Sequence, residues 1–151
     1  MIKIICVGKI KESFFREAIE EYRKRLSKYT KLEIIEVEDV SHQNELISMA
    51  KEKELLLKHI NTKEYIITLE IEGKKFNSLE FAKKLDQTLS VNPNITFIIG
   101  GSNGLDEEIK SLSNLKLSFS DLTFPHQLFR IILLEQIYRS FKIINNESYH
   151  K

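Results

Sequence analysis

The chain of 151 residues holds a single cysteine, Cys6. One thiol cannot close an intramolecular disulfide, which excludes a disulfide-stapled secreted scaffold and suits a reducing compartment. Cys6 lies inside a short apolar run, so it is expected to be a buried structural thiol and a poor nucleophile. Apolar runs of the roughly 20 residues that span a bilayer are absent, and Lys3, Lys9 and Lys11 interrupt the apolar start. Neither a membrane span nor a signal peptide is expected, and the expected location is the cytoplasm. A dominant charge is missing too. Twenty-three basic against 22 acidic residues leave +1, which gives no overall attraction to nucleic acid, and no DNA partner is expected.

Several chemical signatures are also absent. His42, His59, His126 and His150 are widely separated and lack the close spacing of metal ligands, so no metal is expected. No G-x-S-x-G elbow is present. Neither the G-x-G-x-x-G spacing of dinucleotide sites nor the G-x-x-x-x-G-K-[ST] pattern of a P-loop occurs, which disfavours dinucleotides and ATP.

What is present is ordinary globular material, 42% hydrophobic and 30% charged, in a length that suits one domain over residues 1–151. Short β-branched runs alternate with amphipathic segments, the pattern of βαβ units around a mostly parallel sheet flanked by helices. Strands are expected near Ile2–Val7, Leu32–Val37, Tyr65–Leu69, Ile95–Ile99 and Leu115–Ser118. Helices are expected from about Ser13 to Ser27 and Glu45 to Ile60, from Ser78 with its hydroxyl as cap, and from Pro125, which suits a first helical turn. Asp39 to Asn44 has the composition of a mobile loop. Between Lys9 and Lys31, eight basic residues face four acidic ones, either a solvated helix face or a local RNA-binding patch.

The last helix is apolar around most of its circumference, from Leu128 to Phe141, and such a helix seeks burial on two sides. A second copy of the same face would supply the second side as a twofold homodimer. Arg130 falls among Leu133, Leu134, Ile137 and Phe141 and needs a partner. That partner is either an acid across the dimer or an anionic substrate.

Three of the five glycines sit in Gly100-Gly101-Ser102-Asn103-Gly104, directly after an expected strand. Glycine there serves a positive φ or a close ligand, and ligands of open α/β sheets bind at the carboxyl ends of strands. A ligand-free tight turn is the plain alternative. Gly73 follows the third strand, so the backbone near Leu69 and Glu70 borders the same end of the sheet. The stretch Ser118 to His126 offers a further strand end and a helix N-terminus, where the helix dipole is expected to lower the pKa of His126. A packing or capping histidine is its plain alternative.

Phe97-Ile98-Ile99-Gly100-Gly101-Ser102-Asn103-Gly104-Leu105, Leu122-Thr123-Phe124-Pro125-His126-Gln127-Leu128, Glu135-Gln136-Ile137-Tyr138-Arg139 and the tail Tyr149-His150-Lys151 resemble the bacterial ribosomal large-subunit methyltransferase H family of the SPOUT superfamily. The likeness extends to Lys3-Ile4-Ile5-Cys6-Val7-Gly8-Lys9 and to the length. The resemblance implies an α/β fold with a C-terminal deep trefoil knot, an obligate homodimer and S-adenosyl-L-methionine bent into the knot. The implied reaction is N3-methylation of a pseudouridine in 23S ribosomal RNA, in a stem-loop near the decoding region of the assembled ribosome.

By the same resemblance, cofactor contacts fall on Leu69, Gly100, Gly101, Asp121, Leu122, Thr123, Phe124, Pro125 and His126. His150, with Tyr149 and Lys151 assisting, is implied in handling the N3 proton, and Arg130 or Arg139 in holding phosphate or base. The family often has proline and an acid where this chain has Ser102 and Asn103, and proline where it has Ser148, which implies a looser tail. A non-catalytic RNA- or ribosome-binding module is the alternative from another class, and a dehydrogenase or flavin protein a further one.

Overall fold

A computed structural model describes all 151 residues. Ten elements follow one another: β1 (Ile2–Val7), α1 (Ser13–Leu26), β2 (Leu32–Val37), α2 (Glu45–Leu57), β3 (Tyr65–Lys75), α3 (Ser78–Val91), β4 (Ile95–Ile99), α4 (Glu107–Ser111), β5 (Leu115–Ser118) and α5 (His126–Ile144). The strands form one sheet in the order β2-β1-β4-β3-β5, with every pair parallel. No helix is long and apolar enough to cross a membrane.

Side chains alternate across a strand, and β1 shows the consequence. Ile2, Ile4 and Cys6 point into a large core with residues of α1, α3 and α5, while Ile5 and Val7 join a smaller one with residues of α2 and α4. Strands covered on both faces read as continuous apolar runs, as β1 and β4 do. Lys3 is the exception, and its Nζ lies 3.0 Å from Glu64 Oε2 and donates to the His59 carbonyl. Crossovers toward the β2 edge use α1 and α3, and those toward the β5 edge use α2 and α4. One hand therefore holds throughout, as parallel crossovers require.

Four local features differ from the sequence expectation. The cap of α3 is Asn77, whose Oδ1 accepts from Glu80 N at 2.8 Å while Glu80 Oε2 accepts from Asn77 N at 2.9 Å. This reciprocal box satisfies two free amides, which leaves the Ser78 hydroxyl to donate to Gln136 on α5. Helix α4, capped by Asp106, is too short to show a period in sequence. Helix α2 ends at Leu57, before the expected Ile60.

The fourth difference matters most, since β3 continues past Leu69 to Lys75. Leu69 and Lys74 both pair with Leu117 of β5, so residues 70–73 bulge out of the ladder. Gly73 closes the bulge, because a Cβ there would stand 2.7 Å from the backbone carbon of Lys116. Gly73 is thus a close-approach glycine rather than a simple turn.

Candidate cofactor site

The carboxyl ends of three neighbouring strands, β4, β3 and β5, open onto one cavity of about 400 Å³. That volume lies within the usual range of small-molecule sites. The β3 bulge supplies Leu69, Glu70, Ile71 and Glu72, the glycine turn runs along a second wall, and the segment from Leu117 to His126 forms the third. Phe129, from the first turns of α5, closes the bottom.

The glycine turn is tight. Gly101 O accepts from Gly104 N at 3.1 Å, and Gly104 has φ +79°. A Cβ on Gly100 would stand 2.7 Å from Gly104 C and O, so that position tolerates no side chain without opening the turn. Backbone polar groups thereby border the cavity unshielded by a side chain.

The third wall is built on serines. Ser120 Oγ accepts from Leu122 N at 3.0 Å, and Ser118 Oγ donates to Ser120 O at 3.2 Å. Beyond them Phe119 meets Phe129 edge-on at 5.0 Å, and Phe124 stacks on Phe129 at 6.2 Å and 29°. Flat apolar faces beside bare backbone groups fit a ligand with an aromatic base and a polar chain. Glu70 Oε2 accepts from Thr68 Oγ1 at 2.6 Å, and its Oε1 is 3.8 Å from Lys110 Nζ, so charge of both signs borders the cavity.

Of the residues expected to contact cofactor, Leu69, Gly100, Gly101, Leu122, Thr123, Phe124 and His126 line the cavity. Asp121 and Pro125 do not. The Asp121 carboxylate is turned outward and accepts from Lys75 Nζ at 2.5 Å. Pro125 is instead the N-cap of α5, one residue before the expected first turn, with ψ at 133° and its carbonyl accepting from Phe129 N. The pKa of His126 is lowered, as expected, but the cause differs. Burial comes first and the neighbouring Arg130 charge second, with Asp39 opposing both.

Arg130 departs from both expectations. It is 2% exposed and its partners lie in its own chain: Nη1 donates to Glu36 Oε2 at 2.7 Å, and Nη2 donates to the carbonyls of Val7 and Gly8 at 2.9 and 2.6 Å. No acid across a dimer is needed to pair the guanidinium, whose Nε is buried without a hydrogen-bond partner. Its role is to fasten α5 to the ends of β1 and β2.

The tail stands apart from the cavity. Tyr149 OH donates to Glu135 Oε1 at 3.1 Å, and Arg139 Nη2 donates to the same oxygen at 2.6 Å. The Arg139 guanidinium lies 4.8 Å from the centre of the Tyr149 ring, and its Nη1 is 3.1 Å from His150 Nδ1. An arginine only donates, so this contact places the proton of neutral His150 on Nε2. Glu147 anchors the start of the tail, accepting from Lys142 Nζ at 2.8 Å and Tyr29 OH at 2.8 Å, which holds its pKa down at about 2.

Other expectations meet mixed outcomes. Cys6 is fully buried, with its pKa pushed up to about 11 by that burial. In α1, Arg23 pairs with Glu20 and Arg25 with Glu21, so part of the basic stretch is a solvated, self-paired helix face. The bulge residues Ile71 and Glu72, with Lys110 and Phe129, were not anticipated. Only the alternation of Leu69, Ile71 and Gly73 hinted that the strand runs on.

A parallel α/β sheet with a glycine-walled cavity at three adjacent strand ends defines a small-molecule-binding enzyme scaffold. The family described as "Predicted SPOUT methyltransferase" matches residues 1–150. The chain is 52% identical over 154 residues to the "Ribosomal RNA large subunit methyltransferase H" of Caldicellulosiruptor saccharolyticus, covering 100% of both. It is 54% identical over 157 residues to a "Putative ribosomal RNA large subunit methyltransferase H" of Methanococcus maripaludis, and 52% identical to one from Clostridium botulinum, covering 99% of each chain. A solved probable methylase family protein from Haemophilus influenzae shares the fold at TM-score 0.60 and 13% identity, over 99% of this chain and 70% of that one. The chain belongs to the SPOUT methyltransferase family. Membership sets aside the non-catalytic module and the dehydrogenase or flavin protein.

Proposed function

We propose that the protein methylates N3 of a pseudouridine in 23S ribosomal RNA, using S-adenosylmethionine bound in the cavity at the ends of β3, β4 and β5. The observation that carries this reading is the convergence of Leu69, Gly100, Gly101 and the run Leu122 to Phe124 on one cavity. It occurs in a chain matched end to end by relatives named for ribosomal RNA large-subunit methylation.

S-adenosylmethionine supplies a methyl group activated by its sulfonium. The chain's own task is alignment, and holding donor and acceptor in line is worth several kcal/mol, up to roughly 7 to 11 in model reactions. Leu69, Leu122 and Phe124 offer apolar surface to the adenine, and the bare backbone of Gly100 and Gly101 offers polar groups to the rest. His126 at the rim is kept neutral. The acceptor N3 gives up its proton to solvent, and His150 presents Nε2–H as a donor able to stabilise the anionic base that results.

Because Tyr149 and His150 lie outside the cavity of their own chain, we assign them to the cavity of a second copy in a twofold homodimer. Leu122 and Leu128, 70% and 36% exposed near the cavity, supply apolar surface for that contact. The trefoil knot, the assembled ribosome as substrate and a cytoplasmic location belong to the same reading. Calorimetry with S-adenosylmethionine tests it first: micromolar binding is expected, and no binding to the folded dimer would overturn the cofactor assignment.

A further inference from the structure

The β3 bulge brings to the cavity wall a carboxylate that the methyl-transfer reading leaves without a task. Leu69 and Lys74 share Leu117 as ladder partner, so residues 70–73 leave the sheet, and bulges beside functional sites re-aim side chains in this way. Glu70 and Glu72 both line the cavity. Glu72 is exposed to solvent, whereas the Glu70 side chain is only 12% exposed, so the charge least screened by water is that of Glu70.

The two oxygens of Glu70 are used differently. Oε2 accepts from Oγ1 of Thr68, a fully buried residue two positions earlier, at 2.6 Å. Oε1 accepts no hydrogen bond, since its salt-bridge partner, Lys110 Nζ of α4, stands at 3.8 Å, beyond hydrogen-bond reach. Lys110 is itself shared, with Nζ 3.4 Å from Glu107 Oε1. Glu70 thus lines the cavity with one anchored oxygen and one unbonded oxygen, an arrangement completed by positive charge on a ligand.

Nothing else in the lining cancels that charge. The charged residues there are Glu70, Glu72 and Lys110, two acids against one lysine, and His126 is held neutral by burial and by Arg130. In the proposed reaction the S–CH3 bond breaks as the N3–CH3 bond forms, and the N3 proton leaves to solvent. The sulfonium becomes a neutral thioether, so S-adenosylhomocysteine carries one positive charge fewer than S-adenosylmethionine. A carboxylate in the wall senses that difference whichever end of the ligand it meets, because the Coulomb attraction reaches across several Å.

We propose that Glu70 is a specificity-determining residue of the cavity: its carboxylate, anchored by Thr68 on the β3 bulge, favours the sulfonium cofactor over the thioether product. Spent cofactor then yields its place to fresh. The inference rests on the cofactor reading and adds a selectivity to it.

Calorimetry with S-adenosylmethionine and S-adenosylhomocysteine tests it on wild type, Glu70→Gln and Lys110→Met, with thermal denaturation to show that each is folded. The readout is the ratio of the two affinities, which a loss of packing alone leaves in place. Glu70→Gln keeps an oxygen for Thr68 and removes the charge, so the preference for S-adenosylmethionine should fall by roughly tenfold, the effect of one charge several Å away in a partly open cavity. Lys110→Met removes the opposing cation, so the preference should rise. It leaves Glu70 in place and decides the question even if Glu70→Gln does not fold. Equal losses for both ligands in Glu70→Gln, an unchanged ratio in either variant, or a ratio that falls in Lys110→Met would overturn the proposal and leave the cofactor reading standing. Binding of neither ligand to folded wild type would overturn the cofactor reading and the proposal together.

Discussion

Arg130 of α5 donates to Glu36 of β2 at 2.7 Å across the end of β1, and this contact seats the helix that carries His126 and Phe129. Glu36 Oε2 also accepts from Ile10 N at 2.9 Å, so one carboxylate ties the β1–α1 connection to the last helix. Glu36→Gln keeps the shape and removes the charge. Breaking a fully buried pair costs about 3 to 5 kcal/mol. The Glu36 side chain is 35% exposed, and Arg130 keeps its two carbonyl partners. The expected loss is therefore smaller, about 1 to 3 kcal/mol in chemical denaturation.

Two titrating groups near the cavity give stability slopes of opposite sign. The folded-state pKa of His126 is lowered, so its contribution is present above the unfolded value near 6.5 and is lost as pH falls through the folded one. The Glu52 pKa is raised from 4.5 to about 7, so its contribution is present below the unfolded value and is lost as pH rises through about 7. Denaturation of Glu52→Gln against wild type should show a difference that grows in favour of the variant from about pH 4.5 to 7. A constant difference would contradict it. Imidazole resonances of His126 should titrate below the ordinary value near 6.5.

The glycines of the turn separate two physical effects. At Gly100 an alanine methyl meets Gly104 backbone at 2.7 Å, so Gly100→Ala must open the turn. Its cofactor affinity should fall steeply while the sheet survives. At Gly104 a methyl would meet nothing within 4 Å, but φ is +79°. Gly104→Ala should cost about 1 to 2 kcal/mol for that left-handed backbone. Calorimetry and denaturation of both variants separate the effects, and equal losses of affinity would contradict the distinction.

The tail is the third part open to separate test. His150→Ala removes none of the residues that line the cavity of its own chain, so S-adenosylmethionine affinity should stay close to wild type while methyl transfer falls by about 10²- to 10³-fold, the range for loss of one donor to a developing anion. Unchanged turnover would remove His150 from the chemistry.

Much of this architecture was legible: β1 and β4, buried on both faces, announce themselves as apolar runs, and the edge strands β2 and β5 keep β-branched or alternating apolar residues. Ile2–Val7, Leu32–Val37, Ile95–Ile99 and Leu115–Ser118 match their expected bounds. The β3 bulge was hidden, since a ladder irregularity depends on the partner strand and only Gly73 marks it locally. Arg130 was placed in the core by helical periodicity, yet its partners, Glu36 and two β1-end carbonyls, lie far away in sequence. Glu52 stands in a Lys-Glu-Lys-Glu run on α2. Burial against Gly101 comes from tertiary packing that period alone does not reveal.

The most direct test of the central claim is mass mapping of 23S ribosomal RNA from ribosomes of cells lacking the protein, after incubation with the purified protein and S-adenosylmethionine. One added methyl group on a single pseudouridine, at N3, is expected, and no addition with Gly100→Ala. A methyl group elsewhere, or none with wild-type protein shown to bind the cofactor, would contradict the account.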